Sequence, residues 1–261
     1  MKKLIVLSLF TFFCATTNAQ ETIPNSSIDS LRTKLKEQLT DNCRVYFRGT
    51  ATGWDGLYEV NISIPKIEFL REKEVRTTYL YETFLLVKTP GRFGEDLYIQ
   101  YNNLSIHKYS TYNINWTSLK KAKAETIAAN KKITEIFENI QKLRNHYFIE
   151  DLNNFQKEVA IFKQSNHSVP LTEEQRKYIV QANAANKAMN YEKAIELYTT
   201  VAKINPTSYP EGYYNMALIA AEMKNYSFAI FNMKKYLIIS PDASDARAAQ
   251  DKIYEWELNI K

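Results

Sequence analysis

Glycine, cysteine and histidine are all scarce in this chain of 261 residues, which contains six, two and three of them. So few glycines leave little material for a phosphate-cradling loop, and neither a Gly-x-Ser-x-Gly elbow nor a dinucleotide fingerprint is present. None of the histidines has a second histidine or a cysteine at metal-ligand spacing: His107, His146 and His167. The acids that fall in turns between strands are typical of solvated turns: Asp41, Asp55, Glu95 and Asp96. We therefore predict no enzyme, no metal site and no cofactor.

Long hydrophobic runs are also missing, apart from one short run at the N-terminus. Lys2 and Lys3 precede the apolar stretch Leu4–Phe13, and Thr17-Asn18-Ala19 supplies a small-residue cleavage site. The stretch is shorter than the about 20 residues that a membrane-spanning helix needs. The pattern predicts a signal peptide over residues 1–19, with export to the periplasm or cell envelope and Gln20 as the mature N-terminus.

Two alternatives to a signal peptide cleaved after Ala19 remain at this end of the chain, an uncleaved anchor and a lipoprotein acylated at Cys14. The motif that directs such acylation has a small residue before the cysteine, whereas Phe13 stands here. We expect contact with a membrane only if Cys14 is lipidated. If the signal peptide is cleaved after Ala19, Cys43 is the one cysteine of the mature chain, and an odd cysteine predicts a buried small hydrophobe or, as the alternative, a reactive thiol.

Excess charge of one sign is modest, because loss of Lys2 and Lys3 lowers the formal net charge from +5 to +3. A nucleic-acid partner calls for a clustered basic face, so we predict none.

Residues 20–116 show strand patterning after a short amphipathic helix at Ser27–Leu39. The strand-like segments alternate with a period of two or are rich in β-branched and aromatic residues: 44–48, Tyr58–Ile64, Val75–Val87, and a hairpin of Leu97–Tyr101 with Leu104–Tyr109. These segments predict a small antiparallel sheet or barrel. A sheet followed by a helix that opens near Trp116 resembles the arrangement of a pleckstrin-homology-like barrel.

Trp54 stands between two glycines in a predicted loop of this β-rich domain. It is interpreted either as a lid on the barrel or as an exposed contact for a ligand.

Residues 117–169 contain neither glycine nor proline and predict one long helix or a helix pair. A first apolar stripe has spacings of four and three: Ala129, Ile133, Ile136, Ile140, Leu143 and Tyr147. A second stripe continues one residue out of step: Phe148, Leu152, Phe155, Val159 and Phe162. The shift predicts a stutter or a break near Asn145. We expect the stripes to pack on the sheet and on the segment that follows, with a homodimeric coiled coil as the alternative.

Residues 170–261 contain one pattern twice, since Asn190–Ile195 matches Asn225–Ile230 at an offset of 35. Each copy has an aromatic residue, two alanines and a closing proline at equivalent positions: Tyr178, Ala182, Ala185 and Pro206, then Tyr213, Ala217, Ala220 and Pro241. Small alanines suit the close crossing of two helices, and proline ends a helix because it lacks an N–H.

This pattern resembles the tetratricopeptide repeat, whose period is about 34 residues. The resemblance implies repeats at about 175–208 and 210–243 with a capping helix at 244–258, and Thr172 with Gln175 predicts a capping box. Two repeats rarely bury enough surface alone, so we expect the long helix to pack on the first repeat in place of a third. The predicted fold class is α+β: an N-terminal antiparallel β domain, a long linking helix, and a C-terminal α-solenoid.

The resemblance further implies a concave groove lined by the first helix of each pair. By register the groove residues are Ile179, Asn183, Asn186 and Lys187 from the first repeat, and Tyr214, Asn215, Leu218 and Glu222 from the second. Aromatic and charged residues dominate binding hot spots, so Tyr214 and Lys187 are the first anchors to test.

One subfamily uses such a groove as a clamp for a C-terminal carboxylate. Asn183 and Asn215 fall on its two asparagine positions, but Ile179 replaces its lysine, and the capping helix offers Asp245 and Ala249 where bases are expected. A mixed polar and aromatic groove for a peptide or helix is favoured over that clamp.

The sequence therefore predicts a non-enzymatic interaction or scaffold protein of the bacterial cell envelope that binds a protein or peptide in the repeat groove. The alternative is a ligand-binding module whose β domain holds a lipid, glycan or cell-wall fragment. A hydrolase acting on envelope glycans through paired acids is the least favoured function.

Overall fold

The structure is a computed structural model that describes residues 25–41, 43–48, 53–55, 58–82, 84–91, 94–101, 103–108, 119–165 and 170–260. The predicted signal peptide, Cys14, Asn102, Trp116 and His167 lie outside these ranges. Within them, no helix combines the length and the apolarity needed to cross a membrane.

The N-terminal part consists of helix α1 and antiparallel strands, so the predicted α+β class is confirmed. The bounds are α1 Asn25–Thr40, β1 Cys43–Phe47, β2 Trp54–Asp55, β3 Glu59–Ser63, β4 Lys66–Arg71, β5 Glu74–Tyr79, β6 Phe84–Gly91, β7 Gly94–Tyr101 and β8 Leu104–Lys108. The strands form a five-stranded sheet in the order β2-β1-β8-β7-β6 and a three-stranded sheet in the order β3-β4-β5.

Alternation along the strands decides which side chains enter the first hydrophobic core. Val45 of β1, Phe69 of β4 and Ile106 of β8 are all fully buried in it. The predicted period of two at 44–48 and 58–64 is therefore present, and the predicted hairpin is formed by β7 and β8. The stretch Val75–Val87, expected to be one strand, is divided between β5 and β6 because Leu80 and Tyr81 lie in a turn.

Helix α2 runs without interruption over 47 residues, Leu119–Ser165, so the alternative of two helices is wrong. The two apolar stripes are nevertheless real. Ile133, Ile136, Ile140 and Leu143 belong to the core of the sheets, whereas Phe148, Phe155 and Val159 belong to a second core. Successive residues of a helix are rotated by about 100°, so the shift of one residue turns the second stripe toward a different neighbour. Each stripe is buried in a core formed by other segments of the same chain. A homodimer through α2 would therefore have to use the faces of the helix that carry neither stripe.

Five shorter helices follow: α3 Glu173–Lys187, α4 Tyr191–Ile204, α5 Pro210–Glu222, α6 Tyr226–Ile239 and α7 Ala246–Glu257. They pack as the pairs α3–α4 and α5–α6, with α7 against α6. The turns inside the two pairs share a left-handed residue at equivalent positions, Met189 with φ 56° and Lys224 with φ 59°. At the start of α3, the predicted capping box of Thr172 and Gln175 is present.

The contact of α2 differs from expectation, because it lies against α6 in the second pair rather than on the first repeat. Phe148 stacks on Phe231 with the ring centroids 4.4 Å apart, and Phe155 meets Tyr213 of α5 edge-on at 5.3 Å. Lys235 of α6 forms an ion pair with Asp151 of α2. Of the two aromatic residues that meet α2, Phe231 lies at a position that the repeat pattern does not specify, whereas Tyr213 is one of the aromatic positions of that pattern.

Candidate partner-binding groove

A chain of polar side chains connects the two helix pairs on the surface formed by α3 and α5. Tyr198 of α4 donates its hydroxyl hydrogen to Oδ1 of Asn183 on α3. The same hydroxyl oxygen accepts a hydrogen bond of 3.2 Å from Nδ2 of Asn215 on α5. The Tyr198 ring is almost fully buried, and burial raises the pKa of its hydroxyl, so the group stays protonated and able to donate. One tyrosine thus fixes the orientation of both asparagine amides.

These bonds leave specific hydrogen-bonding groups facing the surface. Those bonds use Oδ1 of Asn183 and Nδ2 of Asn215. Among the described residues, the amide nitrogen of Asn183 and the amide oxygen of Asn215 have no hydrogen-bond partner. A side-chain amide nitrogen is a donor and its oxygen an acceptor. The surface therefore presents one donor and one acceptor, which are the groups that a peptide unit can satisfy.

Tyr214 supplies an aromatic surface beside this chain. Its ring meets Tyr236 of α6 edge-on at 5.1 Å, and the Tyr236 hydroxyl donates to Oδ1 of Asp245 at 2.5 Å. Burial, followed by the bond to Asp245, raises the pKa of Tyr236 to about 12. Tyr236 therefore stays neutral, and its ring on α6 packs against that of Tyr214 and holds it in place.

Seven of the eight groove residues predicted from the sequence reach solvent. Three are exposed, namely Asn183, Lys187 and Glu222, and four are half-buried, namely Asn186, Tyr214, Asn215 and Leu218. Ile179 is only 9% exposed, so it packs within the helix pairs and offers little surface to a partner. Lys187 and Glu222 stand at equivalent positions 35 residues apart and place opposite charges at corresponding ends of α3 and α5.

Tyr198 and Tyr236 are site residues that the sequence reasoning missed. Tyr198 follows Ala194, a position of the internal repeat, by four residues, and Tyr236 follows the equivalent Ala229 by seven, so both share the face of their helix that packs on the first helix of the pair. That spacing is the signal that could have found them.

The opposite side of the second helix pair is covered by the rest of the chain. The Lys235 ammonium lies 4.7 Å from the ring centroid of Phe231 and 4.8 Å from that of Phe155 on α2. The β part adds Tyr81, whose ring stacks on Phe228 at 5.5 Å and whose carbonyl oxygen accepts a 2.9 Å bond from Asn225 Nδ2. None of these contacts involves a groove residue.

The other candidates from the sequence are placed as follows. Trp54 is 7% exposed and packs edge-on against Phe47 at 4.8 Å, so it lies in the core of the sheets rather than at an exposed position. Asp41 accepts a 2.9 Å bond from Lys108, and this bond lowers the pKa of its carboxyl group. His146 is buried with Nε2 3.2 Å from a carboxylate oxygen of Glu150. In the described parts of the chain, no group of three or more His, Cys, Asp or Glu side chains is arranged to hold a metal ion.

Comparison with protein-family models, with curated proteins and with solved structures gives no match to this chain.

Proposed function

We propose that the chain is an exported tetratricopeptide-repeat protein without enzymatic activity that binds another protein or peptide in the groove between α3 and α5. The observation that carries the proposal is the Asn183–Tyr198–Asn215 chain of hydrogen bonds. It orients one donor and one acceptor that have no partner among the described residues, on a surface that the described part of the chain leaves uncovered.

The repeat assignment is supported by residues at equivalent positions of the two helix pairs. Ala182 and Ala217 are fully buried, as are Ala194 and Ala229. These alanines lie where the helices of a pair cross closely, which is the role that the repeat resemblance implies for them. The pleckstrin-homology-like arrangement of the β part stays a prediction, supported only by the packing of two antiparallel sheets with a long helix.

The groove favours a short extended segment or a partner helix with a mixed surface. The amides of Asn183 and Asn215 suit main-chain or side-chain polar groups, while Tyr214 and Leu218 offer half-buried apolar surface beside them. The opposite charges of Lys187 and Glu222 suit a partner that carries both signs. A free carboxylate is a poorer fit, since its oxygens would meet the acceptor of Asn215 without the basic residues of the clamp.

The proposal is tested with a photo-reactive amino acid placed at Leu218 in the groove or, as the control, at the exposed Lys177 of α3. Each protein is expressed with its complete N-terminus in the native cell envelope, irradiated, and its cross-linked partners are identified by mass spectrometry. We expect a partner that is cross-linked from Leu218 and not from Lys177. Equal cross-linking from both positions would argue against the groove.

Substitutions then test whether that partner depends on the groove. We expect Tyr214→Ala combined with Lys187→Glu to weaken its binding at least about tenfold, which corresponds to about 1.4 kcal/mol. The matched control is Tyr254→Ala combined with Lys177→Glu, because Tyr254 is 48% exposed on α7 and both residues lie off the groove. Retention of the partner at wild-type levels by the folded groove variant would show that the groove is not the site.

Export has its own test, independent of the groove. N-terminal sequencing of the mature protein is expected to begin at Gln20. Intact Met1 on protein from the cytoplasm would contradict export.

A further inference from the structure

Four of the described strands lie at the edges of the two sheets: β2, β3, β5 and β6. An edge strand presents unpaired backbone groups to other chains, and proteins block this by short strands, charges or covering groups. β2 has only two residues. On β3 the carbonyl oxygen of Ile62 accepts bonds from Nε and Nη2 of Arg32 at 3.1 Å and 2.5 Å. These two edges are therefore closed to an added strand.

The edge of β5 is protected in the same manner. The carbonyl oxygen of Thr77 accepts a 2.9 Å bond from Nδ2 of Asn103. Glu74 and Arg76 place charges of both signs along the strand. An apolar segment added beside β5 would meet these charged side chains.

β6 is the longest of the four edge strands, and its first half lacks such protection. The strand has eight residues, Phe84–Gly91, and no hydrogen bond from the described residues reaches its outer edge. Lys88 and Pro90 stand in the half near the turn to β7, whereas Leu85–Val87 is apolar. Leu85 is 56% exposed. The first half of β6 is therefore open to pairing.

The alternation of an antiparallel ladder decides which backbone groups of β6 point outward. Every second residue exchanges hydrogen bonds with β7, and the residues between them point their N–H and C=O groups away from it. Pro90 has no N–H to donate to β7, so it belongs to the outward set. Lys88, Leu86 and Phe84 follow at intervals of two and share that direction. A segment placed beside β6 at the usual spacing of about 4.8 Å would pair with these groups.

A buried guanidinium group lies at the unprotected end of this edge. Cζ of Arg144 on α2 is 4.6 Å from the ring centroid of Phe84. Burial lowers the pKa of Arg144 to about 10, so the group still carries its charge at pH 7. Within the described ranges, Arg144 forms no ion pair and its Nε has no hydrogen-bond partner. Glu82 lies two residues before Phe84, but its carboxylate accepts a 2.7 Å bond from Thr78 Oγ1 instead.

A buried charge without a partner is costly, and the Arg144 guanidinium offers planar donors that match a carboxylate. Phe84 faces the core beside Arg144. The residue of an added strand that lies opposite Phe84 has its Cβ about 5 Å away on the same face of the sheet. A carboxylate at that position would accept N–H groups of the guanidinium.

We propose that the β6 edge binds an extended segment of another protein, and that an acidic side chain of this segment pairs with Arg144. Leu85 and Val87 point to the opposite face of the sheet and offer apolar surface to the residues that lie opposite them. Antiparallel pairing is slightly more stable per residue than parallel pairing. In that direction the segment carries three apolar residues followed by an acid.

Charge argues against a second copy of this chain as the occupant. β6 contains no acid, and its one charged residue is Lys88. A second β6 strand would therefore bring a lysine toward Arg144 or leave the guanidinium unpaired. The edge is also separate from the groove, whose residues lie on α3 and α5, so the inference does not depend on the proposed function.

The probe is a short fluorescent peptide in which three valines precede a glutamate, flanked by serines and threonines. A second peptide has glutamine in place of the glutamate, and the binding of each to the full chain is measured by anisotropy. We expect the glutamate peptide to bind at least about tenfold more tightly than the glutamine peptide. Arg144→Met keeps the apolar stem and removes the charge, so it is expected to bind both peptides equally.

Leu85→Asn tests the edge itself, and Val75→Asn on β5 is the matched control. Both residues are apolar, 56% exposed and on edge strands, so neither substitution is expected to unfold the protein. We expect Leu85→Asn to weaken binding of the glutamate peptide at least about fivefold through lost apolar contact. Val75→Asn is expected to bind like the wild type.

Hydrogen exchange locates the bound peptide. The amide hydrogens of Leu86 and Lys88 are expected to exchange more slowly when the glutamate peptide is bound, and those of α3 and α5 at an unchanged rate. Slower exchange in α3 and α5 instead would overturn binding at the edge and leave the groove proposal standing.

The proposal is also overturned if the glutamate peptide binds with a dissociation constant above about 1 mM. Equal binding of the two peptides to the wild type, or an unchanged preference in Arg144→Met, would exclude the pairing with Arg144. Equal weakening by Leu85→Asn and Val75→Asn would show that β6 is not the edge that is used.

Discussion

Phe148 holds the C-terminal half of α2 to the helix pairs, and its replacement by alanine tests that junction. The side chain is 8% exposed, stacks on Phe231 at 4.4 Å and lies 6.4 Å from Phe228. Truncation of a buried phenylalanine to alanine costs about 3–5 kcal/mol through lost burial and the cavity left behind. A domain is stable by about 5–15 kcal/mol, so this loss is a large fraction of the total.

Urea unfolding of Phe148→Ala gives the measurement, with tryptophan emission as the signal. Trp54 lies in the core of the sheets and Trp256 in the core of the helix pairs, so two proteins that retain one or the other, both carrying Trp116→Phe, report the cores separately. We expect the transition seen by Trp256 to move to lower urea concentration in Phe148→Ala, because its core loses a central ring.

Ile127→Ala is the control on the same helix. Ile127 is 69% exposed, so its substitution is expected to change the free energy of unfolding by no more than about 0.5 kcal/mol. If Phe148→Ala costs less than about 1 kcal/mol, the packing of α2 on α6 is wrong.

Two further predictions concern single side chains. Asn225→Ala removes both the N-terminal cap of α6 and the hydrogen bond to the Tyr81 carbonyl group, so it is expected to lower the free energy of unfolding by about 2 kcal/mol. Asn190→Ala removes only the cap of α4 and is expected to cost about 1 kcal/mol. If urea unfolding gives equal losses for the two variants, the hydrogen bond between the β part and α6 is wrong. Burial raises the pKa of Cys43 to about 11, so native protein at pH 8 is expected to resist alkylation by iodoacetamide until urea is added. Alkylation is measured by mass spectrometry of the peptide that contains Cys43. Fast alkylation of this peptide in the native protein would mean that the thiol is accessible.

Local patterns were sufficient for much of the fold. Period-two alternation predicted β1 and β3, and the twofold pattern predicted that the second helix of each pair ends near its proline, as α4 does before Pro206 and α6 before Pro241. The capping box of Thr172 and Gln175 is also local, because its two bonds join residues three apart. In each case the structure is decided by neighbours along the chain.

Contacts between distant segments were the part that the sequence could not supply. Nothing local to Tyr81 indicates that its ring stacks on Phe228. The apolar stripes of α2 likewise indicate that two faces of the helix are buried, but they do not indicate which segments cover those faces. For the same reason the sequence placed Trp54 in a loop with two alternatives, which only its packing on Phe47 resolves. In the groove, register gave the positions of the first helices but not the buried tyrosine beneath them, since Tyr198 contacts Asn183 and Asn215 from the second helix of its pair.

The two stripes of α2 also limit how the chain can vary in length. The boundary between the cores lies at Tyr147, which packs against both of them, and so falls inside a helix rather than in a loop. One inserted residue there would rotate one stripe against the other by about 100° and shift it by about 1.5 Å, so neither core would keep its partner. Insertions of seven or eleven residues restore the angle to within about 20°, but they move the cores apart by about 10 Å or more. Insertions and deletions are therefore expected to be tolerated in the turns between strands and to be excluded from the middle of this helix.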